Sequence, residues 1–346
     1  MPHPTFRVFT LFSIIAASIG GACHSGGGGA GTTSGTSVST SSAGGAHGSS
    51  SSTSVSASSV GGAHSTSSSS ATGSSTASSV GGGGPTGTPV RVVSANLTSG
   101  SNQSYDGGEG IRILQGIHAD VILLQEFNIG ANGAADLTGL VDSVCGANCT
   151  YVRGPTAQIP NGIITSYPIL SSGSWTDALV SNRTFVWAQI DVPGSKDLWA
   201  ISVHLLTTSA TARANEATAI VSNIMTSIPA GDYVVLGGDL NTDIRTEPAL
   251  AAFAPVFVVG TPFPADQNDN DNTSGPRTKP HDWVLENSAL DARRIPAVIG
   301  TTPFANGAVI DTRIYAPLTD IAPALMGDSG ASGMQHMAVV KDFALE

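Results

Sequence analysis

Residues 233–241 read Tyr-Val-Val-Leu-Gly-Gly-Asp-Leu-Asn. Four apolar residues from Tyr233 to Leu236, two of them β-branched, read as a short buried strand. Asp239 and Asn241 follow, two residues apart. In extended backbone, positions two apart share a face, so this segment aims a carboxylate and an amide at one place. A turn after Gly237-Gly238 needs only one such residue.

Working outward, the same pattern repeats: an apolar run that ends in a polar group. Upstream, Leu198 to Leu205 reads as a strand carrying His204 near its end, joined to Tyr233 by an amphipathic helix over Arg213 to Ile228. Val90 to Asn96 is a strand ending in an amide. Glu109 to His118 has Ile111, Leu114 and Ile117 at helical spacing, and the buried-type strand Val121 to Gln125 runs into Glu126. Gly162 to Thr165 and Thr184 to Val192 complete the upstream strands. Downstream come His281 to Glu286, which holds Asp282, then Arg313 to Ala316, then His336 to Phe343. Taken singly, Asn96 is a strand-end cap, Glu126 a surface acid and His204 a core histidine with partners to find. Seven such positions in one block call for a common explanation. No linker interrupts the block, so residues 89–346 are expected to form one domain.

The remainder of the chain has a different character. Of the 346 residues, which carry a net charge of −11, those before residue 90 include one charged side chain, Arg7. Residues 24–88 are almost wholly Gly, Ser, Thr and Ala, too poor in apolar surface to offset the entropy cost of folding; they read as a flexible linker. His47 and His64 within it are isolated and read as incidental rather than metal-binding. Ahead of it, Arg7, an apolar run from Val8 to Ile19, and Gly20-Gly21-Ala22-Cys23 have the layout of a secretory signal over residues 1–23, too short to span a membrane. The small residues before Cys23 resemble a bacterial lipobox, although Gly20 occupies the place where that motif usually has Leu. The expectation is export, as an outer or cell-surface membrane lipoprotein anchored at Cys23, otherwise as a secreted protein. In an exported chain Cys145 and Cys149 read as a local disulfide.

The order Asn96, Gln125-Glu126, the Val-His-Leu strand at His204, Gly-Asp-Leu-Asn at Asp239 and Asn241, Asp282-Trp283 and His336 resembles the endonuclease/exonuclease/phosphatase superfamily, with its deoxyribonuclease-I-like fold. The resemblance spans Pro89 to Phe343. It implies an α/β fold, a four-layer α/β sandwich of two packed mixed β-sheets flanked by helices. It also implies roles. Asn96 and Glu126 would hold Mg²⁺, with Mn²⁺ or Ca²⁺ as substitutes; hard oxygen donors suit such ions. Asp239 would handle the attacking water, Asn241 and His204 would contact the phosphate, and Asp282 would orient His336 as general base or phosphate donor.

The chain departs from the family at one point. The family usually has Asp directly before its last His, whereas here Gln335 precedes His336. Gln335 is a third candidate metal ligand that brings an oxygen without a charge; Asp328 is a substitute if its loop folds back. The loop Asp266-Gln267-Asn268-Asp269-Asn270-Asp271-Asn272 has the alternating oxygens of a calcium site but lacks the expected Gly, and reads as a solvated loop on the substrate side. Arg277 and Lys279 just after it are the candidates for gripping a substrate anion.

The acidic balance argues against a protein that coats nucleic acid by neutralising phosphates, though not against a nuclease with a local cation. The expected activity is hydrolysis of a phosphoester, most readily a phosphodiester, by a monomer acting outside the cytoplasm. The substrate class stays open between nucleic acid, a phospholipid head group and a small phosphodiester. Gln335 motivates the alternative, a surface-anchored binding module that kept the fold and lost turnover.

Overall fold

The computed structural model describes residues 84–155 and 158–346. The signal segment, Cys23 and nearly all of the linker therefore lie outside the described residues. In chain order the strands and α-helices are β1 (Thr88–Ala95), α1 (Glu109–Ile117), β2 (Val121–Leu124), α2 (Ala134–Val144), β3 (Thr150–Arg153), β4 (Gly162–Thr165), β5 (Ile169–Thr176) and β6 (Thr184–Ile190). Then follow β7 (Leu198–His204), α3 (Ala210–Ser227), β8 (Tyr233–Asp239), α4 (Pro248–Phe253), β9 (Asp282–Glu286) and α5 (Ser288–Asp291). The chain ends with β10 (Arg294–Ile295), β11 (Ala297–Ile299), β12 (Thr302–Phe304), β13 (Ala308–Ile310) and β14 (Ala338–Leu345).

One sheet has the order β10-β14-β1-β2-β4-β3, with β13 also on β14; the second runs β5-β6-β7-β8-β9. Both are mixed, and each has one parallel pair, β1 with β2 and β7 with β8. Parallel neighbours need a crossover, usually a helix. Here α1 and α3 make those connections.

Alternation along the strands produces the layers. Val92, Val121, Leu123 and Ile163 face inward with Ala188, Ala200, Val235 and Val284 of the other sheet, forming the core between the sheets. Their neighbours Val93, Ile122, Leu124 and Ile164 face outward and pack with Ile113, Leu114, Leu137 and Val141 of α1 and α2. On the other side Ile201, Val203, Leu236 and Leu285 pack with Ile220, Ile224, Leu250 and Phe253 of α3 and α4. Strands covered on both faces read as continuous apolar runs. The fold is thus the expected four-layer α/β sandwich of two mixed sheets flanked by helices. A buried ion pair links the sheets, with Lys341 Nζ of β14 2.7 and 2.9 Å from the carboxylate oxygens of Glu286 on β9.

The structure also corrects the sequence reading. Arg313 to Ala316 form no strand, because the Asp311 carbonyl accepts from the Ile314 and Tyr315 amides and its carboxylate from Arg313, closing a turn. The sequence reading did not assign α2 or β5. The latter, Ile-Leu-Ser-Ser-Gly-Ser-Trp-Thr, is an edge strand whose residues alternate between half-buried and exposed, with little apolar signal. Cys145 and Cys149 form the expected disulfide just after α2.

Candidate active site

The two parallel strand pairs end at one place, and ligands in α/β sheets commonly bind beyond the carboxyl ends of such strands. In the second sheet, His204 pairs with Asp239 across β7 and β8, and Asp239 pairs with Asp282 across β8 and β9. Three chemical groups thus stand on adjacent strands in register. In the first sheet, Asn96 and Glu126 lie just past the aligned ends of β1 and β2, where Ala95 is level with Leu124.

Asp239 is the centre of the cluster. Its Oδ2 lies 3.1 Å from Asn96 Nδ2, 3.4 Å from His204 Nε2 and 3.3 Å from His336 Nε2. Its Oδ1 accepts from the Asn241 amide at 2.9 Å. Asp282 Oδ2 sits 3.0 Å from His336 Nδ1, so the imidazole is held between two carboxylates. Glu126 accepts from Thr98 at 2.7 Å, Gln103 at 2.8 Å and Asn96 at 3.3 Å. Asn241 Nδ2 donates to the Leu205 carbonyl at 3.0 Å; an amide nitrogen carries two hydrogens, so one is left for a ligand. Seven of the expected positions are therefore brought together.

Two of them lie in strained backbone. Glu126 has φ 53° and Asn241 φ 50°, a left-handed conformation uncommon for side-chain-bearing residues and found preferentially at functional sites.

Burial sets the protonation states. For His204 burial dominates and pulls its pKa down to about 4, so the ring is neutral at pH 7. Burial also opposes charge on His336, but Asp239 and Asp282 overcome it and push its pKa up to about 10. Burial raises Asp282 to about 6 against the pull of His336. Asp239 is equally buried, yet His336, His204 and His281 hold it below the usual carboxylate range. Glu126 is raised by burial, against the hydrogen bonds from Thr98 and Asn96.

The donor set fits a divalent ion at Asn96 and Glu126. Asn96 Oδ1 is buried and has no partner among the described residues, an oxygen beside a carboxylate that a hard cation would satisfy.

Several expectations are displaced. The Gln335 side chain is exposed and makes no hydrogen bond to the Asn96–Glu126 group. Its main-chain oxygen accepts from Gly275, and the side chain lies at the wall of the cleft while the His336 ring is buried. Asp328 is no substitute, being buried in an ion pair with Arg112 of α1 at 2.6 Å. Arg277 is not free to grip an anion. It pairs with Asp266 at 2.7 Å and Asp311 at 3.2 Å and donates to the Asn270 and Asn272 carbonyls. These bonds tie down the 266–272 loop, whose Asp266 is buried rather than solvated. Lys279 remains half-exposed, paired with Asp243.

Four residues of the site carry little signal in the sequence. Gln103 and Thr98 hold Glu126 from a loop with no periodic signal. His281, directly before Asp282, has its ring 5.5 Å from that of His336. It lines a cleft of about 370 Å³ with Asn241, Ser274, Lys279, Gln335 and His336. The signal for His281 was its adjacency to a candidate acid. Arg183, also missed, is buried and donates to the His204 carbonyl at 2.7 Å, bracing the end of β7.

A buried carboxylate–histidine cluster thus stands at the strand ends of a four-layer α/β sandwich. A profile of the Endonuclease/Exonuclease/phosphatase family matches residues 111–306, more than half of the chain, and the chain belongs to that family. The structure is similar to that of an endonuclease/exonuclease/phosphatase from Bacteroides vulgatus, with 17% identity, 75% of this chain and 100% of that one covered, and a TM-score of 0.53. It is also similar to a functionally unknown conserved protein from Enterococcus faecalis V583, with 12% identity, 73% and 98% covered, and a TM-score of 0.50. At these identities the likeness is one of fold. No match is found among curated proteins.

Proposed function

We propose that this protein is a divalent-metal-dependent phosphoesterase that hydrolyses phosphodiesters outside the cytoplasm. The observation that carries the reading is the single oxygen, Asp239 Oδ2, within 3.4 Å of Asn96, His204 and His336 side-chain nitrogens. Phosphodiester cleavage needs a base for water, donors for the phosphoryl oxygens and charge to offset the developing anion.

The residues divide these tasks. Asp239, anionic at neutral pH, accepts the proton of the attacking water. His336 carries a proton at neutral pH, so of its two expected roles the donor is favoured; Asp282 fixes Nδ1 and leaves Nε2 for the substrate side. Neutral His204 and Asn241 supply further N–H groups, and Arg183 holds the strand end that presents His204. An ion bound at Asn96 and Glu126 would supply Lewis-acid charge to the phosphoryl oxygens. Mg²⁺ suits those oxygens, with Mn²⁺ or Ca²⁺ as substitutes.

The test is hydrolysis of a generic phosphodiester by the purified full chain with Mg²⁺, Mn²⁺ or Ca²⁺. Asp239→Ala is expected to cost roughly 10²- to 10⁴-fold, the usual worth of a positioned base. No hydrolysis by the wild type, or an equal rate in the variant, would overturn the reading. A panel of plasmid DNA, sphingomyelin and inositol phosphates then sorts the substrate class. The silent binding module gains no support from Gln335, which stands outside the Asp239 cluster. Export with a lipid anchor at Cys23 is tested by detergent-phase partitioning of the wild type and Cys23→Ser. Both staying in the aqueous phase would remove the anchor.

A further inference from the structure

We infer that Asp177 and Glu216 share a single proton and, as that protonated pair, position Arg183 and the end of β7 that presents His204. Asp177 lies in the connection between β5 and β6, and Glu216 lies on α3. Neither belongs to the cluster around Asp239. Both are buried, at 3% and 2% relative exposure. Each has one oxygen satisfied by the main chain: the Leu179 amide donates to Asp177 Oδ1 at 2.8 Å, and the Leu206 amide to Glu216 Oε2 at 2.9 Å. The other two oxygens, Asp177 Oδ2 and Glu216 Oε1, are buried with no donor among the described residues.

The two side chains stand within hydrogen-bonding reach of each other. An ionised carboxylate only accepts, whereas a protonated one brings an O–H to donate. Two buried carboxylates in contact also repel, which favours holding one proton between them. That one proton satisfies both free oxygens at once. Burial and then the contact with Asp177 raise Glu216 to about 8, against the pull of the Leu206 amide and of Arg183.

The charge that remains on the pair has a partner. Arg183 is buried and directs its hydrogen bonds to the His204 and Leu205 carbonyls, at 2.7 and 3.2 Å. The opposite charges it feels most strongly are those of Glu216 and Asp177, ahead of Asp239 and Glu126. With one proton, the pair carries one negative charge against the one positive charge of Arg183. The other charged groups nearby are taken: Arg213 on α3 pairs with Glu247 at 2.7 Å and Asp243 at 3.6 Å, and burial keeps His204 neutral. Glu216 holds the amide of Leu206, next after the two carbonyls that Arg183 holds. Three consecutive residues where the chain leaves β7 are thus anchored by one unit. Loss of the proton puts a second, unmatched negative charge into it, which drives the carboxylates apart and releases the anchors of His204.

The effect on hydrolysis rests on the phosphoesterase reading, whereas the shared proton does not. Thermal melting of the full chain, without substrate, compares the wild type with Glu216→Gln. Glu216 has its folded pKa raised above the usual 4.5, so its ionisation costs stability as pH rises from about 4.5 through 8. The amide keeps its hydrogen at every pH, so the melting temperature of the variant should gain on that of the wild type across this interval and then hold its lead. NMR signals of the His204 ring should move through about pH 8 in the wild type and stay in place in the variant. With Mg²⁺ and a generic phosphodiester, wild-type kcat should fall by up to about tenfold for the first pH unit above that midpoint, with KM little changed. Glu216→Gln should hold its kcat until His336 loses its proton near 10. Asp177→Asn offers its own amide to Glu216 and should remove the same alkaline fall; it replaces Glu216→Gln if that variant fails to fold. Combining the two strands the Arg183 charge and should lower the melting temperature by more than the single changes together. A melting difference that is constant across the interval would remove the shared proton. His204 signals and kcat that titrate alike in both proteins would remove the positioning role. A wild type that hydrolyses nothing at any pH overturns the phosphoesterase reading instead, and melting and the His204 signals then decide the pair.

Discussion

The substitution Asp282→Asn separates a catalytic relay from a structural ion pair. Asp282 is fully buried, and its side chain has one partner among the described residues, His336 Nδ1 at 3.0 Å. The amide has the same shape, so no cavity opens. What is lost is a charge-assisted hydrogen bond, worth about 1.5–3 kcal/mol. At about 1.36 kcal/mol per pH unit, the midpoint of His336 should fall by about 1 to 2 from its value near 10. If the same energy orients His336 for the transition state, kcat falls by roughly 10- to 160-fold, with KM little changed.

Stability should respond differently. His336 has its folded pKa raised above about 6.5, so its contribution is complete below that pH and lost as pH rises through about 10. In the variant the upper end of this window moves down. Asp282 is itself raised to about 6 by burial, so ionising it costs stability as pH rises from about 4 through 6. The amide removes that cost along with the bond, and melting at pH 7 should barely move. The assays are nitrogen-resolved NMR titration of the histidine rings in metal-free protein, steady-state hydrolysis with Mg²⁺, and thermal melting. A His336 midpoint near 6.5 in the wild type, or an unchanged kcat in the variant, would refute the reasoning.

Lys341→Met should destabilise the fold in urea denaturation by less than the roughly 3–5 kcal/mol of a fully unpaired buried charge, since it leaves the buried Glu286 carboxylate between the sheets with Arg294 alone, at 3.7 Å. Adding Glu286→Leu should recover much of that loss. Arg183→Met should lower kcat more than it raises KM, because the two bonds it makes to the His204 and Leu205 carbonyls position the β7 end without touching substrate. A KM effect alone would argue against that role. Gln335→Asp should tighten divalent-ion binding by less than about tenfold in calorimetry, since an exposed carboxylate at the cleft wall acts through water, where a unit charge pair at 4 Å is worth about 1 kcal/mol.

The sequence made the frame legible because the frame is simple physics. Val121 to Leu124 and Tyr233 to Leu236 are apolar on both faces, and both strands are covered by a sheet on one side and helices on the other. Edge elements were not legible, since β5 is half serine and glycine and takes its place by pairing with β6 rather than from its own composition. The candidate site was legible where polar groups interrupt apolar strands: Asn96, Glu126, His204, Asp239 and Asp282 each do so. Gln103, Thr98 and Arg183 were not, because their partners come from distant segments. Arg277 misled for the same reason. A cation in a polar loop looks available until Asp266 and Asp311 are found on it.

The same distinction explains why the departure at Gln335 matters less than its sequence position suggests. Gln335 is exposed at the cleft wall while His336 is buried against Asp239, so the residue before His336 lies outside the contacts of Asp239. What sits inside is decided by register between strands, and Asp239 is level with Asp282, which brings His281 to the mouth of the cleft. The candidate unit is therefore the row His204, Asp239, Asp282 across three strands, joined by His336 and by Asn96 and Glu126 past the strand ends of the facing sheet. A substitution should be judged by its distance from that row rather than by its place in a motif.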